Sequence, residues 1–283
     1  MLAFFSKKWQ NISMNDQNYL RILRRIAKEE GYKITRVIDG VFELKKSNKC
    51  RYIKGRDFGL NSALSNQMSA NKAITFEVLN RNKIKAVPHY EIYHPTYYAM
   101  FGNQKKRNNE RMKMIIEKEG IPIVVKPAEG SSGRNVEVAK NKREMQRLSK
   151  EIFKEDKGVV FSPFRVIDHE YRVVMLNGKA ELIFDKIRRK DEYRHNLCLG
   201  AKAETLKKTD KTAKKLETIA KRAVKTLGLT FASVDIIETK EFGFEVLEVN
   251  SGVSMGYYSI QSKQNFLLAK SIYKKAFKKA FKK

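Results

Sequence analysis

Two segments near the C-terminal end, FASVDIIET (231–239) and FGFEVLEVN (242–250), alternate in polarity and are separated only by Lys240-Glu241. Period-two patterning on both sides of a tight turn predicts an antiparallel strand pair with a buried face. Asp235 stands in the first strand, which is otherwise apolar. Glu248 and Asn250 stand two residues apart in the second and therefore project to one side. A carboxylate in such a strand needs a compensating cation, because burying it alone is strongly unfavourable. A metal or cation is the natural explanation. Acidic and amide oxygens on one face suit Mg²⁺, a hard cation that keeps water and phosphate as its other ligands.

The rest of the chain interleaves helices with strand pairs. An amphipathic helix is expected from Asp16 to about residue 30, with Leu20, Leu23 and Ile26 at helical spacing and Gly31 as its stop. A hairpin turns at Asp39-Gly40, a helix begins near Ser69, and another closes at Gly120, directly before the apolar strand IPIVVKP. A small-residue loop, a helix over NKREMQRLSKEIFKE and the strand GVVFSPF follow. The clearest hairpin turns at Asn177-Gly178, and a helix covers roughly 207–227. This order predicts an α+β (mixed α/β) fold and argues against a helical bundle or a β-sandwich.

Composition narrows the classes. The chain has 283 residues, 42% hydrophobic, with only 15 Gly and 5 Pro, which excludes collagen-like and wholly disordered chains. No apolar run approaches the ~20 residues of a membrane span, and MLAFFSKKWQ breaks into lysines too early for a secretory leader. Cys50 and Cys198 form neither a disulfide framework nor a metal pattern, so a reducing cytoplasm is expected. Lys plus Arg total 59 against 31 Asp plus Glu, and the net charge of +28 favours anionic partners: nucleotides, acidic substrates or nucleic acid. A lysine-rich surface also serves solubility alone.

Two further stretches can carry chemistry. In EGSSGRNV, Gly130 and Gly133 relax the backbone while Ser131 and Ser132 offer hydroxyl and N–H donors, so the loop can cradle phosphate oxygens. Lys126 ends the preceding strand and can pair with the same phosphates; no Gly-Lys-Ser/Thr follows, so this is not a Walker loop. Arg188, Arg194 and Asn196 place two guanidinium groups and an amide in one short stretch, suited to carboxylate or phosphate.

Taken in order, these features form a series: Lys in SANKAITFEVL, Lys in VVKPAEGSSG, Glu-x-Arg in HEYRVVMLNGK, Arg-x-Asn in YRHNL, Asp in SVDII and Glu-x-Asn in LEVNSG. The series resembles the ATP-grasp superfamily, nearest to its RimK-like and cyanophycin-synthetase-like carboxylate–amine ligases, over roughly residues 60–260. The resemblance implies two α+β lobes closing on ATP, divided here as a short N-terminal helix and hairpin region (1–60), a first lobe with the flap (61–160) and a second with the metal site and basic helix (161–283).

Residue by residue, it makes Lys72 and Lys126 the nucleotide-phosphate lysines and Glu129 to Gly133 the flap. Arg172 faces substrate or phosphate; Arg188, Arg194 and Asn196 handle the acyl phosphate and the transferring phosphoryl group; Asp235, Glu248 and Asn250 ligate one or two Mg²⁺, with Mn²⁺ as a substitute. The backbone of Phe161 to Phe164 reads adenine, with Ser162 where relatives often carry an acidic residue near the ribose. The region before residue 60 is short for this family, whose N-terminal domain often helps to bind the acceptor.

The implied activity is ATP-dependent amide or peptide bond formation through an acyl phosphate, on a carboxylate and an amine of small-molecule or peptide substrates, acidic ones fitting the charge. Homo-oligomers are common among such relatives. An ATP-grasp kinase, or a basic nucleic-acid-binding protein with a vestigial ATP site, is the alternative. Outside the series, His169 and His195 are read as hydrogen-bonding or surface residues, Cys198 as packing, and HYEIYHPTYYAMF (89–101) as lobe core before a stacking surface. Gly256, Tyr257 and Tyr258 border the acceptor site. Tyr273, Phe277 and Phe281 make one helical stripe expected to dock on the core.

Overall fold

The computed structural model describes residues 14–96, 103–130, 133–192 and 194–282. The chain opens with α1 (Met14–Glu29) and three short strands, β1 (Lys33–Ile38), β2 (Val41–Lys46) and β3 (Lys49–Lys54). Helices α2 (Ala63–Ala70) and α3 (Lys72–Arg81) follow, then β4 (Tyr90–Tyr93), α4 (Gln104–Glu119), β5 (Ile123–Pro127), β6 (Glu137–Ala139), α5 (Lys142–Ile152) and β7 (Gly158–Pro163). The remainder is β8 (His169–Leu176), β9 (Lys179–Ile187), β10 (Lys202–Thr205), α6 (Lys211–Thr226), β11 (Phe231–Thr239), β12 (Gly243–Asn250), α7 (Gly256–Ser259) and α8 (Lys263–Lys282). The mixed architecture expected from the alternating patterns is the one observed. β3 escaped the pattern because Ile53 is its only buried residue.

These strands form three antiparallel sheets, ordered β1-β2-β3, β4-β7-β5-β6 and β10-β9-β8-β11-β12. In the four-stranded sheet, parity sorts the side chains. Ile123, Val125, Val159 and Phe161 face a core made with Met112 and Ile115 of α4 and Met145, Leu148 and Ile152 of α5. In the five-stranded sheet, Val173, Val234 and Ile236 pack on Leu216, Ala220 and Val224 of α6. The opposite face of that sheet is divided along its length. Val174, Leu182, Phe184 and Phe231 are covered by α1, the three-stranded sheet and α8, whereas the continuation of the same face carries Glu170, Arg172, Lys186 and Asp235.

The cores divide the chain differently from boundaries at 60 and 160. β7 hydrogen-bonds with β5 and completes the four-stranded sheet, so that sheet runs past residue 160. The segment from Asn61 through α3 serves the five-stranded sheet: Asn61 accepts from the Thr230 amide (2.8 Å), Ser65 donates to Gly228 (3.1 Å), and Leu79 is buried in the core that includes α6. Apolar residues of α3 decide this placement, and a charge or turn pattern carries no record of it.

The basic C-terminal helix docks on the core, as its stripe predicts: Tyr273, Phe277 and Phe281 are buried. Lys270, Lys274 and Lys278 flank the stripe and pair with Glu29 and Glu30 of α1. The Tyr273 hydroxyl accepts from the Met255 amide (3.0 Å) and donates to the Val253 carbonyl (2.9 Å), tying α8 to the segment after β12. Of the aromatic stretch, His89 is buried and Tyr90–Tyr93 is a sheet strand; residues 97–101 lie outside the described residues. No described helix is long and apolar enough to cross a membrane.

Candidate active site

The site is assembled from local structure at three places. Asn71 caps α3, its side-chain oxygen accepting from the amides of Ala73 and Ile74. Its own NH₂ donates to both oxygens of the buried Glu91 (3.1 Å each), which fixes the cap. Lys72 is therefore the first residue of α3. Its amide donates to Ala128 (3.1 Å) and its Nζ to the carbonyl of Gly130 in the loop (3.0 Å). Lys126, on β5, projects from the face opposite Phe161's core, and the two ammonium groups stand 4.0 and 3.9 Å from one oxygen of Glu248. Burial, with Lys72 adding repulsion, pushes the Lys126 ammonium down to about 8, against the attraction of Glu248.

The second place is the charged half of the five-stranded sheet. Arg172 on β8, Asp235 on β11 and Glu248 on β12 are direct cross-strand neighbours. The register shift that follows the Asp235–Glu248 pair leaves Leu247 as an extra residue, a bulge of the kind that re-aims side chains beside sites. Arg172 holds Asp235 with two bonds, Nε to Oδ1 at 2.8 Å and Nη2 to Oδ2 at 2.6 Å. Lys186 lies 2.9 Å from Asp235 Oδ1 and 2.5 Å from Glu170. Burial raises the Asp235 pKa, but the two cations overcome that and hold it below the usual carboxylate range. The cation expected beside this buried carboxylate is thus a guanidinium and an ammonium of the chain itself. To ligate a metal, Asp235 would have to give up one of these contacts.

The third place is the loop after β9. Arg188 donates to the Glu192 carbonyl (3.1 Å), and Arg194 makes two bonds to the Glu192 carboxylate (3.0 and 2.8 Å). Asn196 meets the glycine loop. Gly133 has φ +71°, and a β-carbon there would stand 3.3 Å from the Asn196 amide nitrogen, so this crossing favours glycine for both conformation and space.

All three places open on one cavity of about 1100 Å³. Lys72, Lys126, Glu129, Gly130, Gly133, Ser162, Phe164, Arg172, Arg188, Arg194, Asn196, Asp235, Glu248 and Asn250 line it. Phe161 does not: its side chain is fully buried in the core with α4 and α5, and its backbone lies between β4 and β5. Strand alternation turns Ser162 to the cavity and Phe161 away, and the Ser162 hydroxyl is buried there with no partner. Ser131 and Ser132 lie outside the described residues. Tyr257, Tyr258 and Cys198 are also in the wall. His195 is buried with Nδ1 2.7 Å from the Lys186 carbonyl, and His169 pairs with Asp185 at 2.5 Å.

A family model, the RimK-like ATP-grasp domain, matches residues 69–274. The chain belongs to the RimK-like ATP-grasp family. Among curated relatives, a probable alpha-L-glutamate ligase of Histophilus somni is 29% identical over 46% of this chain and 42% of its own. The alpha-aminoadipate–LysW ligase LysX of Saccharolobus solfataricus is 31% identical over 73% of this chain and 69% of its own. This RimK-like chain thus spans less than half of the first of these relatives. A D-alanine–D-alanine ligase structure from Bacillus anthracis, complexed with ATP, superposes with a TM-score of 0.52 at 21% identity, over 69% of this chain and 59% of that one. The VanG D-Ala:D-Ser ligase of Enterococcus faecalis gives 0.54 at 15% identity, over 69% and 56%. The fold is that of the ATP-grasp enzymes.

Within the RimK-like domain, Lys186 is a cavity residue that the motif series did not single out, and Glu170, the acidic residue of its Glu-x-Arg, was given no role of its own. The signal was present in part. Glu170 and Arg172 are two apart on a strand, and Lys186 sits on the adjoining hairpin strand, but no local rule distinguishes it from the chain's many surface lysines.

Proposed function

We propose that the chain is an ADP-forming, ATP-dependent ligase that joins a carboxylate to an amine. The observation that carries this reading is the single cavity in which the two lysines around Glu248, the arginine-bearing loop and the Asp235–Glu248–Asn250 oxygens meet. ATP supplies the phosphoryl group that turns an unreactive carboxylate into an acyl phosphate, and Mg²⁺ screens the charge of the transfer. Lys72 and Lys126 hold the phosphates, and the backbone and hydroxyl of Ser162 with Phe164 border the base and sugar. Asp235, Glu248 and Asn250 are the oxygen donors that would hold the cation, a donor set that fits a hard divalent ion. Asp235 is engaged by Arg172 and Lys186, so it would have to release one of them to join Glu248 and Asn250 around the ion.

Arg188, Arg194 and Asn196 face the negative charge that develops on the phosphoryl group and then on the tetrahedral carbon. The loop at Gly130 and Gly133, meeting Asn196, excludes water from the activated acyl group. The relatives' names support amino acids such as glutamate or aminoadipate as substrates, and the +28 charge supports acidic ones in a cytoplasmic setting. The deciding measurement is the fate of ATP and Mg²⁺ over a panel of amino acids, acidic peptides and DNA, with Glu248→Ala as control. ADP and phosphate formed only with one carboxylate–amine pair, with the mass of one amide product and turnover lost in Glu248→Ala, is the expected result. A stable phosphorylated product would instead establish a kinase. Salt-sensitive DNA binding without nucleotide binding would establish a nucleic-acid binder.

The buried Lys126 makes nucleotide affinity pH-dependent. Its folded pKa of about 8 lies below the ordinary lysine value, so the charged form is present below that pH and lost as pH rises through it. Between this pKa and the higher one of the phosphate-bound state, affinity falls about tenfold per pH unit. Lys126→Arg, permanently charged, removes that fall. A titration of nucleotide affinity from pH 7 to pH 10 that is flat for the parent chain would contradict this.

A further inference from the structure

The three-stranded sheet precedes the family domain, which begins at residue 69, and no residue of β1, β2 or β3 lines the cavity. One face of the sheet enters the core through Phe42, Leu44 and Ile53. Directly paired residues of neighbouring antiparallel strands share a face, so the register fixes the composition of the other. Across that outer face run Lys33 beside Lys45, then Thr35, Glu43 and Tyr52, then Lys54 beside Val41. Adjacent rows are about 7 Å apart, two residues of strand rise. Tyr52 therefore has a lysine-bearing row on either side of it.

Charge on this segment is one-sided. Residues 33–54 hold seven Lys and Arg against Asp39 and Glu43. Asp39 is paired with Arg36, and Glu43, on the outer face, accepts from the Tyr52 hydroxyl (3.3 Å). Lys33, Lys45 and Lys54 are exposed, and their ammonium groups have no ion pair or hydrogen bond among the described residues. Tyr52 is 60% exposed, although burial of so large an aromatic is ordinarily favourable. Lysine on an edge strand keeps edges from pairing, which accounts for Lys33 on β1 and Lys54 on β3. It does not account for Lys45, on the central strand, or for an exposed tyrosine on an edge. A flat aromatic among unmatched cations is instead complementary to a ligand that is planar and polyanionic at once. Unpaired nucleotides have both properties: each base offers a π-face, and the backbone carries a phosphate at every step.

We propose that the outer face of the N-terminal sheet binds single-stranded nucleic acid, with Tyr52 stacking on a base and Lys33, Lys45 and Lys54 contacting the backbone phosphates. A duplex keeps its bases stacked on one another and gives Tyr52 nothing to stack on. An anionic membrane or an acidic protein would meet the lysines and leave the ring without a planar partner. Because this face turns away from the core and takes no part in the cavity wall, ATP and a nucleic acid strand can occupy the chain together. The proposal goes beyond the ligase reading and does not rest on it.

The test measures binding of labelled single strands of RNA and of DNA, each of about 12 nucleotides, to the full chain over a series of salt concentrations. Binding of at least one is expected, and it should persist with ATP and Mg²⁺ present. Tyr52→Ala should weaken it about 10-fold and leave the salt dependence unchanged, while Tyr52→Trp retains affinity. Lys33→Gln, Lys45→Gln and Lys54→Gln together should make the slope of log affinity against log salt shallower by about 2. Lys214→Gln, Lys215→Gln and Lys221→Gln together remove the same charge from the exposed side of α6, which packs on the opposite face of the five-stranded sheet, and should leave binding near the parent value. All these positions are exposed, so melting temperature and ATP affinity should match the parent chain. Binding of neither strand, a Tyr52→Ala variant that binds as the parent does, or equal losses in the two triple variants would each overturn the proposal. Displacement of the strand by phosphatidylserine vesicles, polyglutamate or duplex DNA as readily as by unlabelled strand would overturn it too, assigning the face to a membrane, an acidic protein or a duplex.

Discussion

Asp235→Ala should lower stability by about 3–5 kcal/mol and abolish turnover. The carboxylate is buried beneath Arg172 and Lys186, and its removal leaves a guanidinium without its hydrogen-bonded counter-charge and an ammonium paired with Glu170 alone. Losing one partner is far more damaging than losing the pair, because the remaining charge stays desolvated. The double variant Asp235→Leu with Arg172→Met should therefore recover most of the stability while remaining inactive. Denaturant midpoints of the single and double variants, with ADP release on each, check this. A single variant as stable as the parent would mean that solvent reaches Arg172 and that the row is not a buried network.

Gly256→Ala is the second large expected effect. A β-carbon at Gly256 would stand 2.5 Å from the Asn15 carbonyl oxygen and 2.9 Å from its α-carbon, and closer still to its side-chain oxygen. Two backbones meet there, so relief requires α1 to move as a unit rather than one side chain to turn. Overpacking of this kind costs about 1–3 kcal/mol, and α1 carries Asp16 in the cavity wall, packs its Tyr19 against Arg56 and shares a core with α8. Loss of amide protection in α1, with β5 and β7 unchanged, is the expected hydrogen-exchange result. Equal protection in both proteins would show that the contact yields locally. The small backbone at this position explains why the residues after Glu248-x-Asn250 can touch the N-terminal helix at all.

Much of the site was legible because its residues follow strand periodicity. Glu248 and Asn250 were expected on one side and both reach the cavity; Lys126, picked out at the end of its strand, lines the same cavity with Lys72, both beside Glu248. The same periodicity, applied through the register of β7, excludes Phe161 and admits Ser162. Lys186 was not legible. It is one cation in a chain with 59 Lys and Arg, and what distinguishes it is burial beside particular carboxylates, which depends on partners distant along the chain.

Local sequence by itself determined the elements: which segments are strands, which helices have one apolar face, where glycine permits a turn, and the order of charged motifs along them. These follow from short-range sterics and from the periodicity of side-chain direction. Tertiary structure decided which element serves which core, sending α3 to the five-stranded sheet and α1 with α8 to its lower face. It also decided what compensates Asp235, because a buried charge is satisfied by whichever cation the packed strands bring within reach. In this fold those are Arg172 from β8 and Lys186 from β9.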